Sequence, residues 1–98
     1  MATYILLTKL SPEESKKIHN RAKLGRIWLE EVKAKCPEVT FKSHYALLGK
    51  YDFMDIYEAP DAQTAAKVSL ISLANGAYSA ESLTAIPYKE FTELISKV

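Results

Sequence analysis

Cysteine, glycine and proline are scarce in this 98-residue chain, and neither sign of charge dominates. The one cysteine, Cys36, cannot form an intramolecular disulfide, and it has no second cysteine with which to build a metal cage. Only three glycines and four prolines accompany 48% hydrophobic residues, which excludes a disordered or low-complexity chain. The sequence therefore predicts one ordered globular domain over residues 1–98, since a chain of this length can bury one core.

The features that attract a protein to nucleic acid or to membranes are also missing. Thirteen Lys and Arg residues stand against twelve Asp and Glu residues, so no broad positive field would draw the chain to phosphates or anionic lipid. The first residues do not combine a basic segment with a long apolar run, and no stretch is long enough to span a bilayer. Together with the single cysteine, these features predict a cytoplasmic protein without a nucleic-acid or membrane partner.

Apolar patterns and end signals predict the element order β-α-β-β-α-β. Ser11 and Glu14 form a capping box at the start of the first helix, and Pro37 ends it. Asp61 caps the second helix, which Gly76 ends. The four strands are expected at residues 3–10, 39–48, 51–59 and 77–86, and a last short helical segment follows Pro87.

One stripe of small or apolar residues on each helix is expected to face the sheet. On the first helix the stripe comprises Ile18, Ala22, Gly25, Leu29 and Val32. Leu24 and Trp28 lie beside it and either widen it or touch a partner subunit. On the second helix the stripe comprises Ala62, Ala65, Ala66, Ser69 and Leu73.

A two-residue turn at Gly49-Lys50 fixes the register of the central hairpin. The pairs predicted on one face are Leu48 with Tyr51, Ala46 with Phe53, His44 with Asp55, and Lys42 with Tyr57. The pairs predicted on the other face are Leu47 with Asp52, Tyr45 with Met54, Ser43 with Ile56, and Phe41 with Glu58. These pairs assign every hairpin side chain to one of two faces.

A four-stranded antiparallel sheet with both helices on one face leaves its other face without cover. The face containing Phe41, Leu47, Met54 and Ile56 is expected to meet the helices. The exposed face then carries Ala46, Leu48, Tyr51, Phe53 and Tyr57, an apolar and aromatic patch. Burial of this patch against a second copy of the chain predicts a homodimer or larger homo-oligomer.

Four blocks of sequence resemble the GYD domain family of small bacterial and archaeal proteins. The blocks are the opening Ala2-Thr3-Tyr4-Ile5-Leu6-Leu7-Thr8-Lys9-Leu10-Ser11-Pro12-Glu13, the central Tyr45-Ala46-Leu47-Leu48-Gly49-Lys50-Tyr51-Asp52-Phe53, the junction Glu58-Ala59-Pro60-Asp61 and the late Thr84-Ala85-Ile86-Pro87. The resemblance implies a ferredoxin-like α+β fold similar to the dimeric α+β barrels, in which two sheets pack face to face. It implies no particular reaction, because related barrels carry several chemistries.

His44 and Asp55 form the best candidate catalytic pair, because a carboxylate orients a histidine and raises its basicity as a general base requires. Lys42, Tyr51 and Tyr57 are candidate ligand contacts around it. Asp52 either lines the mouth of a pocket or bonds the local backbone of the turn. The alternative for His44 and Asp55 is a structural polar pair at the rim of the sheet or at an interface.

No metal site or cofactor is predicted, because His19, His44 and Cys36 fall on different elements and no phosphate loop or nucleophile motif is present. Two functions remain open. One is a protein that binds or transforms a small aromatic or carbonyl compound in a pocket. The other is a structural or regulatory assembly protein without catalysis.

Overall fold

The computed structural model describes residues 1–98. The strands are β1 (Ala2–Leu10), β2 (Thr40–Ala46), β3 (Phe53–Ala59) and β4 (Ala77–Ala85). The helices are α1 (Pro12–Ser15), α2 (Arg21–Lys35), α3 (Ala62–Ala74) and α4 (Tyr88–Ile95), with a 3-10 turn at Ile18–Asn20. No helix is both long and apolar enough to cross a membrane.

The four strands form one antiparallel sheet in the order β2-β3-β1-β4. β1 and β3 occupy the centre, while the two strands that follow a helix, β2 and β4, occupy the edges. This is the arrangement expected when two β-α-β units interleave in the ferredoxin-like pattern. The predicted α+β class with a four-stranded antiparallel sheet is therefore confirmed.

The face of the sheet that meets the helices is the opposite of the predicted one. Tyr57 is fully buried, and Tyr4 stacks on it with ring centroids 5.5 Å apart. Both belong to the core, together with Leu6, Val32, Cys36, Ala59, Ala65, Val68 and Ile71. The face defined by Phe53, Asp55 and Tyr57 thus packs under α2 and α3. The prediction failed because apolar side chains occur on both faces of the hairpin, so alternation alone does not indicate which face is inside.

The register of the hairpin is confirmed for four pairs: Ala46 with Phe53, Tyr45 with Met54, His44 with Asp55, and Ser43 with Ile56. It shifts between Phe41 and Ser43, where Phe41 instead pairs with Tyr57. A β-bulge at this point adds one residue to β2 and leaves Lys42 without a partner in the ladder. The bulge places the Phe41 ring on the buried face, 5.6 Å from the ring of Tyr57.

The hairpin connection is longer than the predicted two-residue turn. The strands end at Ala46 and resume at Phe53, and the Leu47 N–H donates to the Asp52 carbonyl across the connection, at 2.8 Å. The Asp52 N–H does not complete that pair, because it donates to the Thr8 carbonyl of β1, also at 2.8 Å. This hydrogen bond therefore anchors the end of the hairpin to β1.

The first predicted helix is divided into α1, the 3-10 turn and α2. Its start is as predicted, since the Ser11 hydroxyl accepts the Glu14 N–H at 3.2 Å. The helix then breaks at Lys17, whose backbone leaves helical angles, and Ile18 is 73% exposed instead of facing the sheet. Val32 is buried as predicted, and the helix ends at Cys36.

The second predicted helix, α3, is capped by Asp61, which accepts the Thr64 N–H at 2.8 Å. The residues that it buries are Thr64, Ala65, Val68, Ile71 and Ser72. Only Ala65 of the predicted stripe is among them, while Leu73 is 43% exposed. Small residues occur on more than one side of α3, so the sequence alone does not decide which side is buried. In the structure the buried side includes the β-branched residues Val68 and Ile71.

Two apolar surfaces have no cover within the chain. The outer face of the sheet, on the side away from the helices, carries Ile5, Leu7, Tyr45, Met54, Ile56 and Leu83. The helix α4 buries none of its residues, and Phe91, Leu94 and Ile95 are 45%, 50% and 55% exposed. Their spacing of three and four residues places them on one apolar side of α4.

Candidate functional site

His44 and Asp55 meet on the buried face of the sheet, as neighbours on β2 and β3. The Nδ1 atom of His44 lies 2.5 Å from the Oδ1 atom of Asp55. Asp55 is only 6% exposed, whereas the side chain of His44 is 48% exposed. A buried carboxylate therefore holds an imidazole whose other nitrogen, Nε2, has no partner in the chain.

Two aromatic rings pack beside the His44 imidazole. The ring centroid of Phe41 lies 5.0 Å away, and that of Trp28, from α2, lies 6.5 Å away in an edge-on arrangement. The Trp28 indole is itself fixed, because its Nε1–H donates to the Ser72 hydroxyl at 2.9 Å. Residues from α2, α3 and β2 thus fix the position of one imidazole.

A cavity of about 370 Å³ opens between α2 and the sheet beside this pair. His44, Asp55, Thr8 and Phe53 line its sheet side, and α2 contributes Trp28 and Gly25 among others. A volume of this size lies within the range of small-molecule sites, which are apolar concavities with a few placed polar groups. The cavity lies within one chain and needs no second subunit to form its walls.

Burial governs the protonation of Asp55. It raises the pKa of the Asp55 carboxyl, and the nearby His44 only partly opposes this effect. When Asp55 is ionised, the Nδ1–H of His44 donates to it and the lone pair of Nε2 is free to accept a proton. When Asp55 is protonated, it donates to Nδ1 and His44 can hold its proton on Nε2. The pair can therefore exchange one proton with a molecule in the cavity.

The GYD domain family model matches residues 4–95 of the chain. The chain belongs to the GYD domain family. A comparison with curated proteins finds no match. Among solved structures, the chain is similar to one described as the crystal structure of FFRP-DM1, at 18% identity and a TM-score of 0.55, over 88% of this chain and 100% of that one. At this identity the similarity shows the fold alone.

The predicted site residues of the GYD domain separate into two groups, and only His44 and Asp55 line the cavity. Lys42 lies at the bulge, and its Nζ is 3.3 Å from the Glu58 carboxylate. Tyr51 lies in the hairpin connection, where the Glu81 carboxylate raises its pKa. Neither residue lines the cavity.

Asp52 and Tyr57 have structural contacts in the GYD domain. The Asp52 carboxylate accepts the Leu10 N–H at 2.7 Å, which fixes the hairpin connection to the end of β1. The Tyr57 hydroxyl lies 2.8 Å from the Ser82 hydroxyl, and burial raises the pKa of Tyr57 to about 12. Tyr57 therefore packs in the core of the sheet and is absent from the cavity lining.

Sequence reasoning missed several residues that line the cavity, namely Thr8, Arg21, Arg26, Phe53 and Asn75. The alternation of the hairpin puts Phe53 on the face predicted to be exposed, and the two arginines have no recognisable spacing. Trp28 was located beside the stripe that faces the sheet, which is the nearest signal that the sequence offers. No group of three or more His, Cys, Asp or Glu side chains converges where it could hold a metal ion.

Proposed function

We propose that this GYD domain binds a small aromatic or carbonyl compound in the cavity between α2 and the sheet. The observation that carries the proposal is the His44–Asp55 pair in the wall of a cavity of ligand size. A pair needed only for stability could have both partners covered by the core, whereas the half-exposed His44 keeps its Nε2 atom unpaired beside this volume.

The His44–Asp55 pair is suited to proton transfer with such a compound. The Nε2 atom of His44 takes a proton from the bound molecule, and Asp55 stabilises the imidazolium that forms. The same proton can return to a different atom of the ligand, so the net reaction would be an isomerisation that needs no cofactor. Trp28 and Phe41 pack beside the imidazole and restrain its orientation.

A thermal-shift screen with aromatic and carbonyl compounds tests the proposal. At least one compound should raise the melting temperature of the wild type and fail to do so for His44→Ala. His19→Ala is the matched control, because His19 lies in the exposed 3-10 turn and is absent from the cavity lining. If no compound distinguishes His44→Ala from His19→Ala, the cavity is not the binding site.

The second candidate function is assembly without chemistry, and the two uncovered apolar surfaces favour it. The outer face of the sheet and the apolar side of α4 would both be buried in a homodimer. In that case subunit contacts would be the purpose of the fold, and no ligand would stabilise it. The same screen separates the two functions, since an assembly protein predicts no compound that depends on His44.

A further inference from the structure

A second set of charged side chains lines the cavity, apart from His44 and Asp55. Arg21 and Arg26 both project from α2 and line it. The Arg21 guanidinium lies 5.7 Å from the centroid of the Phe53 ring, and its Nη2 donates to the Glu14 carbonyl at 3.1 Å. The Glu14 carboxylate is 3.8 Å away. Arg26 forms no ion pair in the chain.

These charges do not cancel. Arg21 shares the Glu14 carboxylate with Lys17, whose Nζ lies 2.9 Å from it, and Arg26 has no ionic partner, so the cavity wall keeps an unpaired positive charge. An arginine stays charged at any ordinary pH and binds carboxylates through a planar fork of donors. The wall therefore favours an anionic ligand, and a carboxylate presents the two oxygens that this fork of donors binds.

Gly25, between the two arginines, leaves the α2 backbone open to the cavity. A Cβ atom added at Gly25 would meet no atom within 4 Å, so no packing partner in the chain requires glycine there. Glycine inside a helix costs about 1 kcal/mol relative to alanine. The cost is explained if the space above Gly25 is occupied by a ligand.

We infer that the ligand is a small aromatic carboxylic acid that carries a hydroxyl or carbonyl group away from its carboxylate, an inference that rests on the proposed function. The carboxylate binds at Arg21 and Arg26. The ring packs against Phe53 and over Gly25. The other polar group reaches the Nε2 atom of His44. The reverse orientation would place the carboxylate beside Asp55, where like charges repel in a poorly solvated site.

A matched pair of probes tests the inference by isothermal titration calorimetry. 4-Hydroxybenzoate and 4-hydroxybenzamide have nearly the same shape and differ in the negative charge. The wild type should bind the benzoate at least about tenfold more tightly, because charge-assisted hydrogen bonds are stronger than neutral ones. Arg26→Gln should weaken the benzoate about tenfold and leave the benzamide unchanged.

Lys23→Gln is the matched control, since Lys23 is an exposed cation on α2 that is absent from the cavity lining. It should leave the affinity for the benzoate unchanged. If the benzamide binds as tightly as the benzoate, or if Lys23→Gln and Arg26→Gln have equal effects, the assignment of the arginines is overturned while the cavity remains a binding site. If neither probe binds, the assignment is overturned together with the proposed function for this ligand class.

The Gly25→Leu variant tests whether the aromatic ring of the ligand binds above α2. A leucine side chain at this position should fill the space above α2 and abolish binding of both probes, while the melting temperature stays at or above that of the wild type. Gly25→Ala should fold equally well and retain most of the binding. Unchanged binding by a folded Gly25→Leu variant would show that the ligand does not contact α2 there.

Discussion

The chemistry of single residues centres on Asp55, a carboxylate placed where charge is costly. Only 6% of Asp55 is exposed, and His44 is the one side chain that bonds to it. Burial raises the pKa of Asp55, so the folded protein binds its proton more tightly than the unfolded chain does. Ionised Asp55 therefore lowers the stability of the fold, but the pair gains a proton that it can exchange. Such destabilising groups are common at sites that perform chemistry.

The pH dependence of stability should report this exchange. The raised pKa favours folding below the unfolded-state pKa of about 3.9, and this contribution is lost as the pH rises through the folded-state pKa. Asp55→Asn keeps an acceptor for the Nδ1–H of His44 but does not titrate. The free energy of unfolding of the wild type, measured with urea, should therefore fall relative to that of Asp55→Asn as the pH rises above about 4.

Asp61→Asn provides a comparison of opposite sign. The hydrogen bonds from Thr64 lower the pKa of Asp61, so its contribution is present above the unfolded-state pKa and is lost as the pH falls. As the pH rises, the free energy of unfolding of the wild type should therefore fall relative to that of Asp55→Asn and rise relative to that of Asp61→Asn. A constant difference between wild type and Asp55→Asn would contradict the burial of an ionisable Asp55.

The hydroxyl of Tyr57 gives a second prediction for a single residue. Tyr57 is fully buried, and its hydroxyl bonds to Ser82 and, at 3.4 Å, to the Ala65 carbonyl. Tyr57→Phe should lower the free energy of unfolding by about 1 kcal/mol, the usual net value of a buried hydrogen bond. Tyr78→Phe should have no measurable effect, because Tyr78 is 75% exposed and forms no such bond. Equal losses in the two variants would rule out the contact as the cause.

The sequence could predict that His44 and Asp55 are paired, because one turn position and strict alternation determine which residues are opposite. It could not predict the face on which they lie, since Met54 and Ile56 are as apolar as Phe53 and Tyr57. Only tertiary packing decides between two apolar faces. Lys42 was misplaced because nothing in the local sequence marks the bulge at this residue.

At the level of the elements, two glycines have opposite roles. Gly25 lies inside α2 with open space around it, whereas Gly76 has a φ of +101° and follows α3. A Cβ atom at Gly76 would lie 2.2 Å from the Cγ atom of Glu14. The first glycine is thus required by no packing partner in the chain, whereas the second is required by the backbone and by a close neighbour.

Alanine substitutions should separate these roles. Gly25→Ala should raise the free energy of unfolding by up to about 1 kcal/mol, through higher helix propensity. Gly76→Ala should lower it by more than about 1 kcal/mol, because alanine disfavours positive φ and collides with Glu14. Chemical denaturation of both variants measures the difference. A loss of stability in Gly25→Ala would contradict the open space above α2.

The N-terminal ends of α1 and α3 were well predicted, because Ser11 and Asp61 cap them through local hydrogen bonds that the sequence encodes directly. The break between α1 and α2 was not predicted, since no glycine or proline marks it. The Arg21 and Lys17 side chains both bond to Glu14 across the break. Lys17 bonds to the Glu14 carboxylate and Arg21 to the Glu14 carbonyl, and both contacts depend on the backbone path of the folded chain.

At the scale of the whole molecule, the fold leaves apolar surface on the outer face of the sheet and on α4. The sequence predicted an oligomer from Tyr51, Phe53 and Tyr57, and that reason is wrong, because Tyr57 is in the core and Phe53 lines the cavity. The outer face and α4 provide a different reason for the same proposal. Self-association would bury Ile5, Met54 and Ile56 together with the apolar side of α4.

Light scattering tests this assembly. The wild type should have the mass of a dimer or a larger oligomer, and Phe91→Glu should shift the mass towards that of one chain, because it puts a charge on the apolar side of α4. Lys89→Glu is the control, since Lys89 is an exposed charged residue at the start of the same helix. A wild type that remains monomeric at micromolar concentration would contradict the assembly and leave the cavity proposal intact.

The central claim is that the cavity beside His44 and Asp55 binds a small molecule, and the imidazole resonances of the protein test it most directly. The chain has only two histidines, so the NMR signals of His44 and His19 can be assigned with one variant of each. Addition of 4-hydroxybenzoate should shift the Nε2 resonance of His44 and leave that of His19 unchanged. Saturable binding that moves neither resonance, or moves both alike, would contradict the claim.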